Sequence, residues 1–170
     1  MENLYKYDLH RYGGGKSHAT KFLYWIRKAQ STSNPIIKII SRCMILHYKE
    51  KYGLEISYVN KIGAGFYLGH AFNITINPDA VIGKNCNVHK GVVIGQTNRG
   101  SKKGVPVIGD EVWIGINAAI VGGITIGNDV LIAPNSFVNC NVPSHSIVFG
   151  NPCIIKHRDC ATDGYINKKI

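Results

Sequence analysis

From Ile62 to Pro143 an aliphatic residue returns every sixth position, and a small residue, usually glycine, often follows it. The hexads read Ile62-Gly63, Leu68-Gly69 and Ile74, slip by two residues to Ile76, and continue with Ile82-Gly83, Val88 and Ile94-Gly95. After a break they resume at Ile108-Gly109, Ile114-Gly115, Ile120, Ile126-Gly127, Ile132-Ala133 and Val138. A period of six fits neither an amphipathic helix nor a two-faced strand. It predicts an all-β chain: a parallel β-helix in which one residue per hexad fills the interior of a three-sided coil. The residue after it is expected to turn the corner, where glycine, asparagine or aspartate tolerates unusual backbone angles. Three hexads make a turn, so about four to five turns are expected.

The pattern divides the chain into residues 1–53, a coil over 54–157 and a tail, 158–170. In the first part, Phe22, Leu23, Trp25, Ile26 and Ala29 recur at helical spacing and predict a helix from about Ser17 to Gln30. Asn34-Pro35 is an N-cap followed by proline at the first helical position, and the run Ile36 to Tyr52 stops at Gly53. These helices are expected to cover the open end of the coil or a neighbouring subunit. Gly13-Gly14-Gly15 is read as a hinge and not a phosphate loop, since no strand precedes it and no GK[ST] end follows. The coil's phase breaks between Ile94 and Ile108, where a polar, basic segment over 96–106 must leave the coil as a loop. Such a loop is a usual place for function.

Composition narrows the partners. The 20 Lys+Arg against 10 Asp+Glu give a formal charge of +10, which invites an anionic ligand. No zinc-finger spacing, aromatic RNA-binding segment or arginine-rich tract accompanies it, so no nucleic-acid partner is expected. The local concentration at Arg99, Lys102 and Lys103 suits a phosphorylated coenzyme. Five cysteines, odd in number and without CxxC spacing, point to reduced thiols and a cytoplasmic protein. The first twenty residues carry charges and no apolar core, so no cleavable leader is expected, and Ile36 to Leu46 is too short to span a bilayer.

The hexads, the basic loop after Ile94-Gly95, the stretch Ile62-Gly63-Ala64-Gly65-Phe66-Tyr67-Leu68-Gly69-His70 and the closing Phe149-Gly150-Asn151-Pro152 together resemble the hexapeptide acyltransferases. The serine acetyltransferase branch and its short relatives among sugar and polysaccharide O-acetyltransferases are the most similar. The resemblance covers about Glu55 to Pro152 and implies a left-handed β-helix and a homotrimer, with trimers able to pair into a hexamer. It implies acetyl-CoA as co-substrate, no metal, and a small hydroxyl acceptor, L-serine or a sugar. The implied mechanism is direct attack on the thioester by a hydroxyl that a histidine activates. His70 matches that histidine and Glu55, fifteen residues upstream, its orienting carboxylate. By position, Gly95, Gln96, Gly115, Ile116 and Ala133 would line the coenzyme A groove, and Arg99, Lys102, Lys103 and Lys156 would meet its phosphates.

Two departures bear on the acceptor. Gly69 stands where serine acetyltransferases place an aspartate and Val105 where they place a histidine, and both of those residues help bind serine. Asp8 is a loose match to another acidic substrate residue. His89 could face the groove but is read as an exposed corner residue, and Trp113 as a flank or trimer-interface residue. The three-histidine zinc pattern of hexapeptide carbonic anhydrases is absent. Phe22, Trp25 and Ile36-Ile37 would suit contact with a membrane surface if the acceptor were lipid-linked. A coil that has lost catalysis and serves as a scaffold is the non-enzymatic alternative.

Overall fold

A computed structural model describes residues 4–170. Fifteen short strands stack into three sheets, one per side of a coil. The first sheet holds β1 (Leu54–Glu55), β4 (Ile74–Ile76), β7 (Val93–Gly95), β10 (Ala119–Val121) and β13 (Phe137–Val138). The second holds β2 (Lys61–Ile62), β5 (Val81–Ile82), β8 (Val107–Ile108) and β11 (Thr125–Ile126). The third holds β3 (Tyr67–Gly69), β6 (Asn87–His89), β9 (Val112–Ile114), β12 (Val130–Ile132), β14 (Ser146–Phe149) and β15 (Ile154–His157). All pairings are parallel except the β14–β15 hairpin. The hexad aliphatics stack in columns, such as Leu68, Val88, Ile114 and Ile132 on the third sheet, and are almost wholly buried. Burying a side chain of this size stabilises by roughly 1.5–3 kcal/mol, so the columns are the core.

The corner chemistry differs from the sequence expectation. The left-handed residue is not the one after the aliphatic but the third: Gly65, Asn85, Glu111 and Asp129 at one corner, Gly91, Asn117 and Asn135 at another. The glycine directly after the aliphatic is small for a different reason. A Cβ on Gly63, Gly83 or Gly115 would lie 2.4–2.6 Å from the backbone of the next coil. Close stacking of successive turns, rather than backbone angle, sets that position.

The two-residue slip is a bulge at one corner. Eight positions separate the in-phase Leu68 and Ile76, where six separate Val88 and Ile94 in the turn above. His70, at φ 50°, sits on this bulge.

Three helices precede the coil: α1 (Leu4–Arg11), α2 (His18–Ser31) and α3 (Pro35–Tyr52). Ser17 caps α2, Asn34 caps α3, and Gly53 ends α3 in the left-handed conformation. The hexad pattern gave no sign of α1, which is too short to show a period. It carries the main clamp. Asp8 is fully buried against Arg27, 2.8 Å away, and accepts the Phe66 amide at 2.9 Å. Arg27 also donates to the Ile62 and Gly63 carbonyls, and Arg11 to those of Gly65 and Asn167. Asp8 is therefore a structural anchor, bound to the coil's own backbone.

The tail turns back down the coil. Asp129 accepts bonds from the Ala161 and Thr162 amides and the Thr162 hydroxyl, and Asn85 exchanges two bonds with Ile170. Tyr165 packs edge-on against Trp113, with ring centroids 5.0 Å apart. Of the apolar residues singled out in the helices, Phe22 is buried and Trp25 half-buried. Ile36, Ile39, Ile40 and Leu46 form an exposed stripe on α3. No helix among the described residues is long and apolar enough to cross a membrane.

Candidate active site

β3, which leads into Gly69 and His70, is the outermost strand of the third sheet, so one edge has no neighbouring strand. Side chains from the helices replace it. The Tyr12 hydroxyl accepts the Leu68 amide at 2.7 Å and donates to the Leu68 carbonyl at 3.1 Å. His18 bonds the Ala71 carbonyl through Nε2 at 3.0 Å, its ring stacked on Tyr52. Together with Asp8 on Phe66 and Arg11 on Gly65, these contacts pin backbone groups at residues 65, 66, 68 and 71. The helices thus fix the bulge that carries His70 while leaving its imidazole exposed.

Above His70 the same corner continues upward in register. Gly69 pairs with His89, and hydrogen bonds link Lys90 to Gly69, Asn117 to Lys90 and Asn135 to Ile116. Gly69, His89, Gly115 and Ala133 therefore stack in one column, and His70, Lys90 and Ile116 in the column beside it. His89 is not the exposed corner residue the sequence suggested. Its ring is half-buried against Trp113 and covers Gly69 so closely that a Cβ there would lie 2.1 Å from its Cδ2. Its Nδ1 meets the Ile114 carbonyl at 2.8 Å. Burial lowers its pKa; the Ile114 carbonyl opposes this, and the nearby His70 adds to the lowering. The first turn is twenty residues long because of the bulge, so His89 stacks on Gly69, a spacing visible in the sequence once the slip is counted.

The opposite edge of the first sheet gathers the other candidates. Glu55, Thr75, Asn77, Ile94 and Gly95 line a groove of 460 Å³ roofed by Arg42, Leu46 and Lys49 of α3. Gln96 stands at its rim, bonded to Asn77 at 3.1 Å. Gly95 differs from the stacking glycines, because a Cβ there would meet nothing closer than 3.5 Å. Coil stacking leaves that face open, as a narrow ligand lying alongside would require. Glu55 is exposed on β1, 3.9 Å from the Lys49 ammonium. It is in register with Thr75, whereas His70 stands on the bulge five residues earlier. Among the described residues the two form no hydrogen bond or ion pair with each other.

The loop over 96–106 is a small hairpin closed by paired bonds between Thr97 and Gly104. Arg99, Lys102 and Lys103 are exposed, but the Lys102 ammonium reaches back to the Asn139 carbonyl at 2.6 Å. Lys156, on β15, lies over the Phe149 ring. No group of three or more metal-ligating side chains occurs among the described residues.

Residues 106–140 match the family model for the bacterial transferase hexapeptide (six repeats). The chain is 33% identical over 126 residues to serine acetyltransferase 2 of Arabidopsis thaliana, covering 74% of this chain and 39% of that protein. It is 37% identical over 107 residues to serine acetyltransferase of Staphylococcus aureus, covering 63% of this chain and 50% of that one. The chain thus spans half or less of the curated relatives it matches. Among solved structures, serine acetyltransferase of Neisseria gonorrhoeae in complex with serine superposes with a TM-score of 0.74 at 26% identity. That match covers 90% of this chain and 67% of the other. Serine acetyltransferase isoform 3 of Entamoeba histolytica, in complex with cysteine, gives a TM-score of 0.70 at 27% identity, covering 95% of this chain and 62% of the other. The shared architecture is the left-handed parallel β-helix.

Proposed function

We propose that this hexapeptide-repeat protein, similar to the serine acetyltransferases, is an acyltransferase that moves the acetyl group of acetyl-CoA to a hydroxyl. The observation that carries the reading is His70, exposed on a bulge whose backbone is held by four side chains of the helical cap. A hydroxyl is a weak nucleophile at neutral pH. As it attacks the thioester carbonyl, the neutral imidazole of His70 takes its proton. The tetrahedral oxyanion then collapses, the carbon–sulfur bond breaks, and the imidazolium returns the proton to the departing thiolate. Each group is regenerated, so neither a covalent acyl-enzyme nor a metal is required. Glu55 is assigned to steady the imidazolium through its charge and not through a direct bond, since it makes none with His70.

Coenzyme A would bind along the coil. Its phosphates meet Arg99, Lys103, Lys102 and Lys156, and its pantetheine arm meets Gly95, Gln96, Gly115, Ile116 and Ala133. In one chain these backbone positions lie on opposite edges of the first sheet. A ligand clasped between two parallel coils would meet one edge from each, which supports assembly as a homotrimer with sites between subunits.

L-Serine is the acceptor that the relatives' names and one neighbour's bound ligand suggest. The His89 ring over Gly69 favours a sugar instead, because it fills the space that a substrate-binding carboxylate at 69 would need. The test is thiol release from acetyl-CoA by the purified protein, with L-serine, hexoses and aminosugars offered separately. Turnover should fall about a hundred- to ten-thousandfold in His70→Ala while coenzyme A still binds. Undiminished turnover in that variant would remove His70 from the chemistry. Absence of both turnover and coenzyme A binding would favour the scaffold.

A further inference from the structure

We infer that His89 is a second acceptor-binding imidazole, whose Nε2 receives a hydrogen bond from an uncharged hydroxyl beside the one that is acetylated. This deepens the O-acetyltransferase reading and rests on it. The residue before His70 is a glycine because the Cδ2–Nε2 edge of His89 lies on it; a Cβ at 69 would stand 2.5 Å from Nε2. The ring is held on three sides, by Trp113 at 4.6 Å between centroids, by Tyr67 at 6.5 Å and by the bond to Ile114. Tyr165 of the returning tail braces Trp113 from behind.

That bond fixes the tautomer. A carbonyl only accepts, so Nδ1 carries the proton and Nε2 of the neutral ring presents a lone pair. Among the described residues Nε2 has no partner, and no buried side-chain nitrogen or oxygen lacks one, so Nε2 is open to solvent. An oriented, unpaired acceptor therefore stands in the column beside the candidate base, over the residue that precedes it. Burial and the neighbouring His70 lower the ring's pKa against the opposing Ile114 carbonyl, which favours the neutral form and its lone pair.

The surroundings favour a hydroxyl over an ammonium as donor. The groups nearest in sequence and register are His70 and Lys90, neither of them a carboxylate, and Glu55 stands on β1 beside Lys49. The acceptor class that fits is a vicinal diol, as in a sugar ring. One hydroxyl gives its proton to His70 and its neighbour donates to His89, which sets the angle of attack. His89 is thus a positioning residue that touches substrate, and no proton is transferred to it.

The experiment is a double-perturbation cycle with methyl hexosides and their monodeoxy analogues as acceptors. The wild type should prefer the diol to the analogue lacking the neighbouring hydroxyl by about tenfold or more in kcat/KM, since a site built to pair a hydroxyl rejects its absence. In His89→Phe, which keeps the ring packing, the diol should fall to the deoxy level and the ratio approach one, with the KM for acetyl-CoA unchanged. His89→Gln, which restores an acceptor near the Nε2 position, should regain part of the preference. A preference that persists in His89→Phe, a wild type indifferent to the deoxy change, or a wild type that prefers L-serine to every diol would overturn the assignment while leaving O-acetyl transfer standing. A wild type inactive with every acceptor would overturn both.

Discussion

Tyr12→Phe removes one oxygen and tests how the candidate site is held. The ring remains, including its stacking on Tyr67 at 4.4 Å, so packing is preserved. What is lost is the partner of both the amide and the carbonyl of Leu68, a residue only 2% exposed on a strand with no neighbour on that side. Both bonds are only part-buried, so their joint loss is taken at the cost of one buried group, about 1–3 kcal/mol. For a chain of this length each kcal/mol moves Tm by about 2–4 °C, so a fall of about 2–12 °C is expected. The damage should also be local, because a solenoid is held layer by layer. Native-state hydrogen exchange should therefore quicken at Leu68 and Gly69 while the amides of β9 and β12 keep their protection. Unchanged Tm together with unchanged exchange at Leu68 would refute the idea that the helical cap serves as the missing strand.

Other consequences follow from the geometry. Gly115→Ala should lower Tm, because the new methyl would stand 2.6 Å from the Pro134 nitrogen. Gly95→Ala should leave Tm alone yet weaken coenzyme A binding measured by calorimetry. His89 has a folded-state pKa below its unfolded value near 6.5, so the unfolded chain takes up the proton first as pH drops. Stability measured in urea should accordingly fall from pH 7.5 to 5.5, and His89→Phe should flatten that slope. Asp129 is held below the usual carboxylate range: burial acts against this, but the bonds from Thr162, His145 and Ala161 outweigh it. Asp129→Ala should free the tail, read as faster tryptic cleavage after Arg158, Lys168 or Lys169.

The coil was legible because its signal is repeated in every turn, and one buried aliphatic per hexad leaves few alternatives. The helix caps at Ser17, Asn34 and Gly53 were legible for a local reason, since each satisfies backbone groups within its own few residues. The contacts of Asp8, Tyr12 and His18 were not, because each reaches more than fifty positions along the chain to a backbone atom that any residue could supply. His89 lay between these cases. Its stacking on Gly69 follows from arithmetic on the slip, but the direction of its ring depends on Trp113 and on a carbonyl twenty-five residues away. The small residues after the aliphatics were legible as a pattern, but their cause, the close approach of the next coil, depends on stacking that no single hexad reveals.

A crystal structure of the protein with coenzyme A bears most directly on the central claim. The account predicts the coenzyme between two parallel coils, its arm passing Gly95 of one copy and Ala133 of another. The sulfur should lie within about 3–4 Å of a hydroxyl position that His70 can reach, as attack requires. Coenzyme A bound away from the His70 column, or a monomer that binds it without help from a second copy, would contradict the account.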